Sequence, residues 1–332
     1  MKEKERLLQT CCIDLHVHMD GSLSVETVRA LAELAGKPLT ETDLEIRSKL
    51  SVSRGCRDLS EYLDKFVYPL SFLQTAGQLS ECACRVKEEL RQKGLLYAEL
   101  RFAPQSHRQK GLSQEQAVQA VIAGAARSEL PTGLILCCMR GQGNEEENRE
   151  TVRLARKYLG KGVCALDIAG AEGLFPTEEY EDLFACAAEL GVPFTIHAGE
   201  AAGPESVRAA LRFGAKRIGH GVRSAEDPAL LRQLADSGAL LELCPTSNLH
   251  TGLFPDYESV PLRALLDAGV KVSINSDNMA VSHTWVGEEL RHMAETFSLT
   301  DAELRGLLEN AARGIFADEE TKDRLLRQIE NV

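Results

Sequence analysis

Eight short β-rich runs, each followed by a stretch long enough to turn back as a helix, constrain this chain more than any other feature. They fall at 12–17, 95–102, 134–139, 163–169, 193–197, 216–220, 239–244 and 270–275. Helical patterns lie between most of them, and strand alternating with helix implies parallel pairing, because parallel neighbours need a crossover connection. The first helix is clearly marked. Ser24 can cap it, Glu26 favours its first turn, Val25, Val28, Leu31 and Ala32 form its apolar stripe, and Gly36 and Pro38 end it. No Gly-, Pro- or Ser-rich boundary divides the chain into two open sheets, so eight such units predict an α/β fold of one kind: a closed (β/α)8 TIM-type barrel. Residues 1–332 are expected to form a single barrel domain.

The interval from 18 to 94 is too long for one helix. It predicts extra helices after the first strand, a lid insertion at about 24–93. An amphipathic helix around 59–75 would be part of it, with Leu59, Tyr62, Leu63, Phe66, Leu70 and Leu73 on its apolar side.

Composition excludes several function classes. Fifty acidic against 38 basic residues give a net charge of −12, with no basic cluster to neutralise phosphates, so neither nucleic acid nor an anionic membrane surface is an expected partner. The start, MKEKERLLQTCC, carries no apolar core of signal-peptide length, and no long apolar run follows; a soluble, cytoplasmic protein is expected. Ten cysteines without a CxxC read as reduced thiols rather than a disulfide framework or a cysteine zinc site. Cys244 in LCPTSN reads as a small buried residue, not a nucleophile.

Polar residues stand at the carboxyl ends of several strands: His16 and His18, Gly170, His197, His220 and Asp277. A barrel gathers those ends on one face, where active sites of such folds are built. His16 and His18 are two apart and so turn to the same side of their strand. With His197 and Asp277 they offer three imidazoles and one carboxylate to a single zinc ion, leaving a position open for water, as in a hydrolytic site. Glu200, three residues beyond His197, is either a proton-exchanging acid or a first-turn carboxylate complementing a helix dipole. His220, between two glycines, is either a further ligand or a base that orients water, and Asp277 can serve both ion and water. His107, His250, His283 and His292 read as ordinary surface or loop residues.

The segments DLHVHMDGSL (14–23), LDIAGAE (166–172), IHAGEAAGPESV (196–207), RIGHGV (217–222), LCPTSNL (243–249) and VSINSDN (272–278) resemble, in order and over almost the whole chain, the adenosine deaminase family of the amidohydrolase barrels. The resemblance implies one zinc per chain on His16, His18, His197 and Asp277, with His220 assisting the attacking hydroxide and Glu200 protonating N1 of an adenine ring. It also implies Asp20 near the ribose and the Gly170 backbone near N3, with His18 beside the substrate as well as the metal. Many members carry two successive aspartates where this chain has Asp277 and Asn278. The second is expected at N7, an acceptor, and an Asn amide donates there at any pH whereas an aspartate must first be protonated. Ala171 stands where an acidic residue is common, leaving Glu172 as the adjacent carboxylate.

The expected reaction is deamination of adenosine or 2′-deoxyadenosine. The alternatives are another N6-aminopurine, such as adenine or a 5′-substituted adenosine like aminodeoxyfutalosine, a metal-dependent amide or ester hydrolase, and a non-catalytic nucleoside or protein binder. The HxE and PCxxC segments of nucleic-acid zinc deaminases are missing, which favours a free small molecule.

Overall fold

A computed structural model describes residues 3–53, 56 and 58–332. Its eight strands among the described residues are β1 Ile13–His18, β2 Tyr97–Phe102, β3 Thr132–Met139, β4 Val163–Ala169, β5 Thr195–Ala198, β6 Arg217–His220, β7 Leu240–Leu243 and β8 Lys271–Ile274. All pair in parallel, in the orders β1-β2-β3-β4 and β5-β6-β7-β8. Two short seams join these halves into a ring. At one, Leu166 bridges to Phe194, and its N–H donates to Pro193 O at 2.9 Å. At the other, Asp277 N donates to His16 O at 2.7 Å and His18 N donates to Asp277 O at 2.8 Å. The result is the (β/α)8 barrel that the strand count predicts. Its strands are almost wholly buried because helices cover the outside while side chains fill the inside, which is why they read as apolar runs.

Between β1 and β2 lie α2 (Val25–Leu34), α3 (Asp43–Leu50), α4 (Leu59–Leu63), α5 (Val67–Ser71) and α6 (Ala76–Gln92), after a leading α1 (Glu3–Thr10). The single helix expected over 59–75 is broken. A 3-10 turn at Asp64–Phe66 separates α4 from α5, and Thr75 caps a new helix. Pro69 is the physical cause: it has no N–H for the carbonyl four residues back, and its ring crowds that carbonyl. The predicted cap at Ser24 is present, accepting from Thr27 N. α6 packs against α7 (Gln114–Ala125) and buries Leu79, Cys82, Ala83, Val86 and Leu90.

The remaining helices follow their strands: α8 (Glu145–Tyr158), α9 (Glu181–Glu189), α10 (Pro204–Arg212), α11 (Pro228–Ser237), α12 (Pro245–His250), α13 (Leu262–Asp267), α14 (Val286–Thr296), α15 (Asp301–Gly314) and α16 (Glu319–Glu330). No described helix is long and apolar enough to cross a membrane. No disulfide joins the cysteines of the described residues.

Candidate active site

β1 aims Asp14, His16 and His18 into the barrel. Its ladder to β2 slips between Asp14 and Val17, and side chains take up the displaced backbone groups. Leu15 O accepts from Arg101 at 2.6 Å and from Arg217 at 3.1 Å, while Leu15 N donates to Asn275 Oδ1 at 3.0 Å. The HxH segment is thereby fixed from below.

The structure brings the four predicted ligands together. His197 Nε2 lies 3.0 Å from His16 Nε2 and 3.2 Å from His18 Nε2, and Asp277 Oδ1 lies 3.5 and 3.4 Å from the same two nitrogens. All four residues are buried. The rings are held from behind by carboxylates: His16 Nδ1 is 2.8 Å from Glu242 Oε2, and His197 Nδ1 is 2.9 Å from Asp167 Oδ2, the latter off the ring's N–H direction. A ring whose Nδ1–H faces a carboxylate presents a bare lone pair at Nε2. Three ring nitrogens and a carboxylate oxygen brought this close form a donor set that fits a metal ion, the ligand atoms all within 4.8 Å of one another. Burial holds His16 well below the ordinary histidine pKa and brings His18 down to about 3, so both rest as the neutral, metal-binding form.

Two backbone devices aim the site. His220 and Asp277 both have φ of 60°, a left-handed turn uncommon for side-chain-bearing residues, the first at the last residue of β6 and the second three residues beyond β8. Gly219, between His197 and His16, has no room for a side chain: a Cβ there would lie 2.9 Å from His16 Cε1. The glycine before His220 thus serves the imidazole of β1.

Glu200 lies beside this cluster, with its Oε2 3.6 Å from His220 Nε2. Burial raises the Glu200 pKa against the opposing pull of His220. Asn248 Nδ2 stands 3.1 Å from His220 Nδ1. Asp20 is buried, and burial pushes its carboxyl up to about 6. Asn278 packs onto Gly21, where a Cβ would come within 1.9 Å of its Oδ1. Asp20 Oδ1, Ser247 Oγ, Asn248 Oδ1 and Asn278 Oδ1 are all buried without a hydrogen-bond partner, as groups kept for a ligand would be. Gly170 ends β4 with φ of 110°, half-buried next to Met139 and Arg140.

A cavity of about 590 Å³ opens at Glu200, between α4 and the loops after β4, β5 and β7. Leu59, Leu63, Leu174 and Leu253 give it an apolar wall. The broken helix therefore still contributes at the mouth, and Tyr62, on its buried side, bonds Ser282 Oγ at 2.7 Å in the loop after β8.

The sequence reading passed over the layer beneath. Arg101 holds Asp167 Oδ2 at 2.7 Å and Glu242 Oε2 at 2.9 Å, while Arg217 holds Glu242 Oε1 at 2.7 Å and Glu99 Oε2 at 2.5 Å. Burial opposes ionisation of Asp167 and Glu242. The His197 and Arg101 charges nonetheless hold Asp167 below the usual carboxylate range, and Arg217 with Arg101 holds Glu242 at about 2. The signal was available: these charges interrupt apolar runs that the parallel barrel buries on both faces, where an unpaired charge is prohibitive. His107 is a correction. It is fully buried rather than a surface residue, because its Nδ1 bonds Leu73 O at 2.8 Å and so satisfies a ring nitrogen away from water.

Comparison with known proteins agrees with this geometry. Residues 12–332 match the adenosine deaminase family. A relative named adenosine deaminase from Haemophilus ducreyi is 46% identical, over 98% of this chain and 97% of that one. The structure of an adenine deaminase from Arthrobacter aurescens superposes with a TM-score of 0.87 at 27% identity, covering 97% of this chain and 98% of its own. A zinc-bound amidohydrolase from Burkholderia ambifaria shares the fold, with a TM-score of 0.85 at 22% identity, over 99% of this chain and 95% of its own. Strand order, the converging imidazoles and these matches together make the chain a member of the adenosine deaminase family.

Proposed function

We propose that this protein is a zinc-dependent aminohydrolase that converts adenosine and 2′-deoxyadenosine to the inosine products and ammonia. The observation that carries the reading is one constellation: three imidazoles and a carboxylate converging at the barrel mouth, with a buried acid, Glu200, and a second imidazole, His220, beside them. His16, His18, His197 and Asp277 would hold the ion. When bound, zinc supplies a water activated near neutral pH and positive charge opposite the developing oxyanion.

The chain's own groups do the rest. Attack at C6 places charge on the purine ring, and Glu200, inclined by burial to keep its proton, delivers that proton to N1. With Asn248 at its Nδ1, His220 turns Nε2 toward Glu200 and the cluster, where it exchanges a proton with the attacking water. The Asn278 amide donates to N7, the Gly170 backbone meets N3, Asp20 takes a ribose hydroxyl, and His18 borders both ion and substrate. The leucines of the cavity give the substrate an apolar wall at the mouth.

The test is a panel of adenosine, 2′-deoxyadenosine, adenine and aminodeoxyfutalosine, with metal content measured on the same sample. Adenosine and its deoxy form should be turned over fastest, with one zinc per chain. Preference for adenine or aminodeoxyfutalosine would move the substrate, absence of any turnover would remove the reaction, and two tightly bound metals would favour an amide hydrolase.

A further inference from the structure

Glu200 sits on the turn between β5 and α10, and that turn is wrapped around a single carboxylate. Glu172 Oε1 accepts from Gly199 N at 2.7 Å and from the Ser206 hydroxyl. Its Oε2 accepts from the backbone N–H groups of Glu200, Ala201 and Ala202 at 3.0, 2.7 and 2.9 Å. Gly199 permits the arrangement with φ of 72°, and a Cβ there would come within 2.4 Å of Val207 Cγ2. The contact does not stop at Ser206. Its hydroxyl lies 2.6 Å from Thr177 Oγ1, which accepts from Arg140 Nη2 at 2.8 Å, and the same guanidinium nitrogen donates to His197 O at 2.7 Å. One relay of donors therefore ties the metal-side end of β5 and the Glu200 turn to the same buried anion, 2% exposed.

We propose that Glu172 is a positioning residue for the reaction: it fixes the Glu200 backbone so that the acid meets the purine ring at one place. This rests on the reading of Glu200 given above. Four consecutive N–H groups converge on this one acceptor, those of Gly199 and Glu200 from buried residues, and a turn left to find other partners would take Glu200 with it. A glutamine at 172 cannot substitute. Its amide nitrogen donates, so one of the two converging sets of donors loses its acceptor whichever way the amide faces.

The test is a double-mutant cycle on the zinc-loaded enzyme with Glu172→Gln, Glu200→Gln and both together, reading kcat, KM and bound zinc. Glu172→Gln should lower kcat by about 10- to 100-fold, the scale of a sub-ångström to 1 Å misplacement, with KM within about 3-fold and zinc retained. In the Glu200→Gln background it should cost nothing further, because the group it positions is already gone. A kcat within about 2-fold of the parent, or a loss that multiplies with Glu200→Gln, overturns the assignment. If Glu172→Gln does not fold, Ser206→Ala decides: a fall of about 3- to 10-fold in kcat at constant KM supports it, and an unchanged kcat overturns it. Near-normal turnover by Glu200→Gln alone overturns the reading of Glu200 itself. An inactive Glu200→Gln beside a fully active Glu172→Gln overturns only the role of Glu172.

Discussion

Two layers of charge are stacked in the barrel, and they are built on opposite terms. In the lower one, Arg101 and Arg217 meet Asp167, Glu99 and Glu242, and nearly every hydrogen-bonding arm finds a partner inside the chain. In the upper one, three Nε2 atoms converge, and the oxygens of Asp20, Ser247, Asn248 and Asn278 have no partner. The lower layer is finished by folding; the upper is left with buried polar atoms that folding does not pair. Glu242 and Asp167 belong to both, with guanidinium on one side and imidazole on the other. A self-satisfied ion network thus serves as the rigid mount for an unsatisfied one, which is how a binding site is held open without collapsing.

The comparison breaks most visibly at Glu200. Removing its proton while leaving both layers in place should separate catalysis from assembly: Glu200→Gln is expected to lose about 10²- to 10⁴-fold in turnover with zinc content and melting temperature unchanged. Damage to the lower layer should do the reverse. Arg217→Met strands Glu99 without its guanidinium and leaves Glu242 with Arg101 alone, and urea unfolding should show a loss of about 3–5 kcal/mol. A change near zero would mean that the network is dispensable for the fold. At the junction, Asp167→Asn keeps the shape but removes the charge behind His197, so zinc affinity should fall about 10- to 100-fold by competition with a chelator, with turnover recovering in excess zinc.

The smallest effect concerns Glu289, which joins the rims of the upper layer by accepting from Thr246 N at 3.0 Å and Thr284 Oγ1 at 2.6 Å. Burial raises its pKa from 4.5 to about 7. From about pH 4.5 to 7 the unfolded chain gives up this proton while the native chain keeps it, so the contribution to stability is present below that window and lost as pH rises through it. Glu289→Gln should flatten the difference in unfolding free energy, read from urea curves at pH 5 and pH 8, by on the order of 1–2 kcal/mol. Parallel curves for variant and parent would show that Glu289 does not titrate there.

The same two layers divide what could be read from the sequence. The strand-end residues were legible because position and chemistry agree: an HxH pair, a His197 and an Asp277 at the ends of apolar runs are costly there unless they work together. Glu99, Arg101, Asp167 and Glu242 lie within their strands and Arg217 opens β6, where a charge resembles the outward half of an alternating pattern; only burial on both faces reveals them as a set. The extra helices were visible as surplus length, but their breaks depended on Pro69 and a cap at Thr75 that the apolar stripe obscured. Glu172 was noticed as the carboxylate left next to Ala171, yet its five donors come mostly from backbone, which carries no letter in a sequence.

The seam at Asp277 has a consequence for how the protein comes into being. The backbone of that one residue donates to His16 and accepts from His18, so closing the ring and completing the ligand set are the same event. A chain emerging from a ribosome carries its first two histidines almost from the start but cannot assemble the four-residue set until β8 and the residue after Ser276 are free to dock. Assembly of the four-residue set is therefore tied to near-completion of synthesis, and a chain stalled before that point would hold its histidines without the backbone partner that locks them.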